Sequence, residues 1–263
     1  GETVEVGKGD SMTGGKLLPV SVDNSDTQVW PIRNHWNGKD EAAGMAWDGS
    51  SDLTWEEKYQ VWVRSLSPVT STEGYSEYTT YTLTTPWGKT LPAPALECAE
   101  TALFLRATFA SWYGLPFIVS AWDGGSVYFG HFGIRTKNGK YASTPRFKSS
   151  YQDYSDMTSA AYTADWPSDS KLRKRKLSSS KDDKNGFLCE NCYAGAYFDE
   201  IFLNKRTGHF MVWLLTYTGS MHLASSDNAF HIEPKAVKEG DVLLERWQKK
   251  GIGHTLIVKK VDS

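Results

Sequence analysis

Between Glu97 and Tyr113 the chain reads Glu-Cys-Ala-Glu-Thr-Ala-Leu-Phe-Leu-Arg-Ala-Thr-Phe-Ala-Ser-Trp-Tyr, and alanine, leucine and phenylalanine cover most of its helical circumference. A helix that is apolar nearly all round has no face to give to water, so the rest of the fold must wrap it. Its ends are marked. Pro92 and Pro94 stiffen the approach, and Gly114-Leu115-Pro116 stops it. The pattern predicts a central buried helix over about 97–113. Material for a sizeable core is present: 40% of the 263 residues are hydrophobic, with 11 Trp, 13 Tyr and 11 Phe. This length suits one large domain or two small ones.

Other elements are predicted around that helix. Ser51, Asp52 or Thr54 opens an amphipathic helix in which Trp55, Tyr59 and Trp62 share a face at spacings of four and three. Such a stripe is more often core than binding surface. The Thr- and Tyr-rich stretch Tyr75 to Thr85 reads as extended chain closed by Pro86-Trp87-Gly88. Phe117 to Ala121 and Ser126 to Phe132 read as strands joined by Asp123-Gly124-Gly125. Phe210-Met211-Val212-Trp213-Leu214-Leu215 reads as a strand, and Asp241 to Trp247 with His254 to Val261 as a final hairpin. Helices first and strands last is an α+β arrangement. Residues 1–30 read as an irregular N-terminal arm. Residues 31–263 form a single catalytic-type domain with a polar insertion at about 137–186, which carries the basic run Lys171-Leu172-Arg173-Lys174-Arg175-Lys176. A basic run of that kind is usually a solvated loop.

Several function classes are excluded. A formal charge of −2 gives no reason to expect nucleic acid as a partner. No apolar run approaches the roughly 20 residues that cross a bilayer. There is no Gly-x-Ser-x-Gly, no Gly-x-x-x-x-Gly-Lys-Ser/Thr and no strand–Gly-x-Gly-x-x-Gly–helix, so neither a serine hydrolase nor a nucleotide site is expected, and no cofactor is implied. The paired carboxylates of a glycosidase stay open among 31 acidic residues. The chain begins Gly1-Glu2-Thr3 without methionine, which reads as a processed or trimmed form, from which any export signal could already be gone. Cys189-Glu190-Asn191-Cys192 could be a local disulfide, half of a zinc site or two free thiols. A disulfide there would point to a secreted or periplasmic protein.

The third cysteine is the chemically suggestive one. Cys98 lies in the first turn of the central helix, where the positive end of the peptide dipoles favours a thiolate. Glu97 and Glu100 mark that turn as a helix start, and they oppose a thiolate unless they face solvent. Far downstream, Gly253-His254-Thr255-Leu256-Ile257-Val258 puts an imidazole at the start of a strand. A helix-start cysteine and a strand-start histidine are a common way to assemble a thiol nucleophile and its base. His131, between aromatics and glycines in Tyr128-Phe129-Gly130-His131-Phe132-Gly133, reads as a strand histidine that packs in the core or lines the cleft. Trp87 is a second candidate substrate contact. His35, His209, His222 and His231 are unremarkable by position, and no two histidines have metal-ligand spacing.

Lys238-Glu239-Gly240-Asp241-Val242-Leu243-Leu244, followed by the Gly253–His254 strand, resembles the Gly-Asp strand and Gly-His strand of NlpC/P60 and related papain-like cysteine hydrolases. The segment from Cys98 through Arg106 to Tyr113-Gly114-Leu115-Pro116 is similar to the nucleophile helix of transglutaminase-like proteins. The resemblance implies a papain-like core, a nucleophile helix packed on an antiparallel sheet. It implies Cys98 as nucleophile, His254 as base, a structural role for Asp241, and Asp262 as the residue that orients the histidine. The reaction it implies is cleavage of an amide or peptide bond through an acyl-enzyme, with a peptide or peptidoglycan-like partner of the cell wall as substrate. The alternatives are transglutaminase-like acyl transfer and a non-catalytic binding module on the same fold.

Overall fold

A computed structural model of the chain describes residues 34–39, 51–69, 80–86, 90–94, 96–121, 127–130, 133–136, 201–202, 205–245 and 253–262. The N-terminal arm, Trp87, His131, the 137–186 insertion and the Cys189/Cys192 pair lie outside them. The described chain is α+β, with helices among small antiparallel sheets.

Helix α1 spans Trp55–Ser65 and α2 spans Cys98–Tyr113. Three sheets accompany them. The first is β1 (Ser67–Val69), β2 (Thr80–Thr84) and β3 (Thr90–Pro92); the second is β4 (Ile118–Ala121), β5 (Val127–Gly130) and β6 (Gly133–Thr136). Helix α3 (Lys205–Tyr217) and the single turn α4 (Ser220–Leu223) follow. The hairpin of β7 (Val242–Glu245) and β8 (His254–Ile257) comes last.

Each helix end has a local cause. The Thr54 hydroxyl accepts from the Glu57 N–H at 3.2 Å, and Glu57 Oε2 accepts from the Thr54 N–H at 2.8 Å, a reciprocal cap on α1. The remaining first-turn donors of α1 reach back to residues 34–39: Trp55 N–H to the Gly38 carbonyl at 3.0 Å and Glu56 N–H to the Trp36 carbonyl at 2.9 Å. The same segment closes the far end of α2. The Asn34 side-chain amide donates to the Tyr113 carbonyl at 2.7 Å, and the Trp36 indole donates to the Pro116 carbonyl at 2.6 Å. Gly114 sits at φ 62°, the left-handed cap that stops the helix.

The core gathers where α1 crosses α2. Phe109, fully buried, has five aromatic rings around it: Tyr113 at 4.7 Å, Tyr59 at 5.3 Å, Trp62 at 5.4 Å, Trp36 at 6.0 Å and Trp55 at 6.3 Å between centroids. The aromatic face expected of α1 is therefore core. As expected, α2 is buried along nearly its whole length, with α3 and β8 packed against it.

Two expectations fail. Residues 210–215 form no strand; they are the middle of α3. Thr207, Phe210, Met211, Leu214, Leu215 and Thr218 are buried at spacings of three and four, and Trp213 stacks on Tyr217 at 5.2 Å. A six-residue apolar run has no periodicity of its own, and packing against α2 supplies the helical one. Helices and strands therefore interleave instead of running helices first. Of the strand expected over Ser126–Phe132, Val127–Gly130 is β5, with Gly130 paired to Gly133 at the start of β6; Ser126, His131 and Phe132 lie outside the described residues.

Candidate active site

Cys98 is the first residue of α2, and its thiol is half-buried. Glu97, one residue ahead, is exposed, and Glu100 Oε2 accepts from the Glu97 N–H at 3.1 Å. Opposite the sulfur stands a hydroxyl: Ser220 Oγ lies 3.7 Å from Cys98 Sγ. Ser220 is itself held by strand β8, since the Thr255 hydroxyl donates to Ser220 Oγ at 3.0 Å. Thr255 is 2% exposed. With Thr255 donating into Ser220, the Ser220 proton is available to the sulfur. A relay Thr255–Ser220–Cys98 thus joins β8, α4 and α2. Its terminal hydroxyl and the first-turn N–H groups of α2 are donors that a negative sulfur, or an oxyanion formed beside it, can accept from.

The turn that carries Ser220 is fixed at several points. The Gly219 N–H donates to His222 Nδ1 at 3.0 Å. Asn228 clamps the whole segment to β4: its side-chain oxygen accepts from the Ser120 N–H at 2.7 Å, and its amide nitrogen donates to the Ser120 carbonyl at 2.9 Å and the His222 carbonyl at 2.8 Å. Burial pushes the His222 pKa down. With Nδ1 accepting from the backbone, the neutral imidazole carries its proton on Nε2, which makes it a donor and not a general base. Two residues on from Ser220, it also occupies another side of the turn.

The hairpin sorts its residues strictly by face. Leu244 opposite Thr255 and Val242 opposite Ile257 turn inward, whereas Leu243 opposite Leu256 and Glu245 opposite His254 turn outward and are exposed. His254 is thus on the exposed face, and its inward neighbour Thr255 is the residue connected to the thiol. The structure brings Cys98 together with Ser220 and Thr255; it does not bring His254 or Asp262 to the sulfur. Asp262, 79% exposed, pairs with Lys260. The expected orienter of the histidine is therefore a surface ion pair at the end of the described chain. His35 and His231 are exposed. Ser220 had no signal in the sequence, because its place beside Cys98 depends on a contact 122 residues apart.

Asp241 closes a turn. Its side chain accepts from the Lys238 N–H at 2.7 Å, and its carbonyl accepts from the Val258 N–H at 2.8 Å, which closes the turn entering β7 and ties it to the end of β8. Among the described residues no group of three His, Cys, Asp or Glu side chains could hold a metal ion, and no helix is long and apolar enough to cross a membrane. The chain matches no family model, no curated protein and no solved structure.

Proposed function

We propose that the protein is a thiol-dependent amide or peptide hydrolase with a papain-like core and Cys98 as its nucleophile. One observation carries the reading. The only free cysteine among the described residues stands half-exposed at the first residue of a buried helix, and a hydroxyl relay from the strand packed on that helix reaches its sulfur. In the reaction, the Cys98 sulfur attacks the carbonyl carbon, and the sulfur–carbon bond forms as the amine leaves with a proton. Water then cleaves the thioester and frees the acid. If an amine takes the place of water, the product is a new amide and the same site is an acyl transferase. The resemblance gives the part of base to His254, which stands on the outer face of β8, the face opposite to Thr255, and it suggests a cell-wall peptide as substrate.

A second reading has its own support. The exposed orientation of His254 and the pairing of Asp262 with Lys260 suit a binding module that keeps the fold without the chemistry. The two readings separate on amine release from short cell-wall peptides by the parent chain, Cys98→Ala and His254→Ala, with iodoacetamide labelling of Cys98 followed in parallel. The hydrolase reading expects turnover that vanishes in Cys98→Ala and falls about 10²–10⁴-fold in His254→Ala. Turnover that survives in Cys98→Ala sinks it. No turnover, together with labelling indifferent to His254→Ala, selects the binding module.

A further inference from the structure

The turn that carries Ser220 hangs on a bond that only a neutral imidazole can accept. Gly219 is the N-cap of α4, and its N–H donates to His222 Nδ1 at 3.0 Å. Firm anchors stand on either side. Ahead, the buried Thr218 is tied to α3, its N–H and its hydroxyl both donating to the Leu214 carbonyl, at 3.1 and 2.5 Å. Behind, the Asn228 amide holds the His222 carbonyl at 2.8 Å. Gly219 and Ser220 lie between them. Chain neighbours aside, nothing among the described residues comes within 4 Å of the place a Cβ of Gly219 would take, so packing does not fix that residue. Its N–H bond to the imidazole does. Ser220, next in the chain, carries the hydroxyl that lies 3.7 Å from Cys98 Sγ and accepts from the Thr255 hydroxyl at 3.0 Å.

We propose that His222 is a protonation-controlled positioning residue: its neutral imidazole holds Gly219 and so keeps the Ser220 hydroxyl on the Cys98 sulfur, and its imidazolium releases them. An imidazolium carries N–H on both ring nitrogens. Nδ1 then turns from acceptor to donor, two donors face each other at 3.0 Å, and the ring has to swing away. Gly219 loses the acceptor of its N–H, and the backbone that aims Ser220 loses its cap. The elements packed on α4 are α2, β4 and β7, with β8 reaching it through Thr255. α2 brings Cys98 with Glu97 and Glu100; β7 brings Glu245 and β8 brings His254, both on the outer face of the hairpin; β4 has no titratable side chain. Tyr217 ahead of the turn and Asp227 after it are exposed. None of these charges shifts His222, whose pKa is pushed down by burial alone. A base whose pKa is lowered on folding binds less proton in the folded state. Its contribution to stability is therefore present above the ordinary value of 6.5 and is lost as pH falls through the lowered one. The hold on Ser220 is firm at neutral pH and given up in acid.

Control of Cys98 by this route rests on the hydrolase reading, but the test uses no turnover, so either can fail alone. Hydrogen exchange of the Gly219 amide is followed in the full chain from neutral to mildly acid pH, corrected for intrinsic exchange, with the Thr218 amide as internal control. Nitrogen NMR of the His222 ring reports its protonation in the same samples. Gly219 protection should fall about tenfold for each pH unit below the point where the ring charges, while Thr218 holds. In His222→Gln, whose side-chain oxygen can still accept at this helix position and does not titrate, protection should stay level. Protection that ignores the charging of the ring, falls alike in His222→Gln, or is lost equally at Thr218 overturns the proposal. Iodoacetamide labelling, read on the Cys98 peptide at neutral pH, tests the link to the sulfur. Ser220→Ala should change the rate on the His222→Gln background and leave it within about twofold on His222→Phe, where the hold is gone. Equal effects on both backgrounds, none at all included, overturn it. If His222→Phe does not fold, Ser220→Ala is compared with the parent chain instead, and its effect on labelling should be present at neutral pH and vanish in acid; the same effect at both overturns the proposal.

Discussion

The junction of α1 with α2 and the β7–β8 hairpin are held by opposite means. At the junction, rings fill space from every side of Phe109, and the helix ends are satisfied by a short segment, residues 34–39, that serves both helices at once. The hairpin has one inward face of four residues, a close glycine–tyrosine contact and two backbone bonds through Val258. The first region draws its stability chiefly from buried area, to which the Arg106–Glu56 ion pair and the Glu57 cap of α1 add a charged contribution. The second draws chiefly on backbone geometry and close approach. The two regions meet where Gly240 is pressed against Tyr59 of α1.

Substitutions can break that contrast or sharpen it. Phe109→Ala empties the centre of the aromatic cluster and should cost about 3–5 kcal/mol in denaturant unfolding, the largest single loss in the described chain. A value below about 1 kcal/mol would deny the junction its dominance. Gly240→Ala forces a side chain into a left-handed position and against Tyr59; a loss of about 1–3 kcal/mol is expected, read as increased hydrogen exchange at Val258 more than at Ala107. Equal effects at both amides would mean that the hairpin and the helices open as one unit. Thr54→Ala removes the cap of α1 and should lower stability by about 1 kcal/mol. It should also weaken an acid-sensitive contribution. The Glu57 pKa is lowered chiefly by the Thr54 N–H and then by the Thr54 hydroxyl, so that stabilisation is present above the ordinary value of 4.5 and is lost as pH falls through the lowered one. His254→Gln, on the exposed face, should change stability by less than about 0.5 kcal/mol by thermal melting. A larger loss would show that the imidazole is buried against something.

Much of this contrast could be read in the sequence, and what could not has physical reasons. The extent of α2 followed from its prolines, its cap glycine and its apolar circumference, all local signals. The final hairpin followed from two apolar stretches on either side of a polar turn, the first entered through Gly240-Asp241. Alternation says that His254 and Thr255 face opposite ways, but which of them meets the helix is decided by docking, and Gly240 against Tyr59 sets that docking. The run from Phe210 to Leu215 misled because apolar character without periodicity suits a buried helix as well as a strand. Ser220 was invisible because a serine after Thr218-Gly219 reads as a turn until the chain brings it to Cys98.

Asn228 has a consequence for the time before the fold is complete. Its side chain mimics one residue of a neighbouring strand, taking both the N–H and the carbonyl of Ser120 on the side of β4 turned away from β5. An open strand edge invites pairing with other chains. The residue that blocks this one lies 108 positions further along. At ribosomal speeds of about 5–20 residues per second, the edge of β4 exists for roughly 5–20 seconds before its stopper has been synthesised.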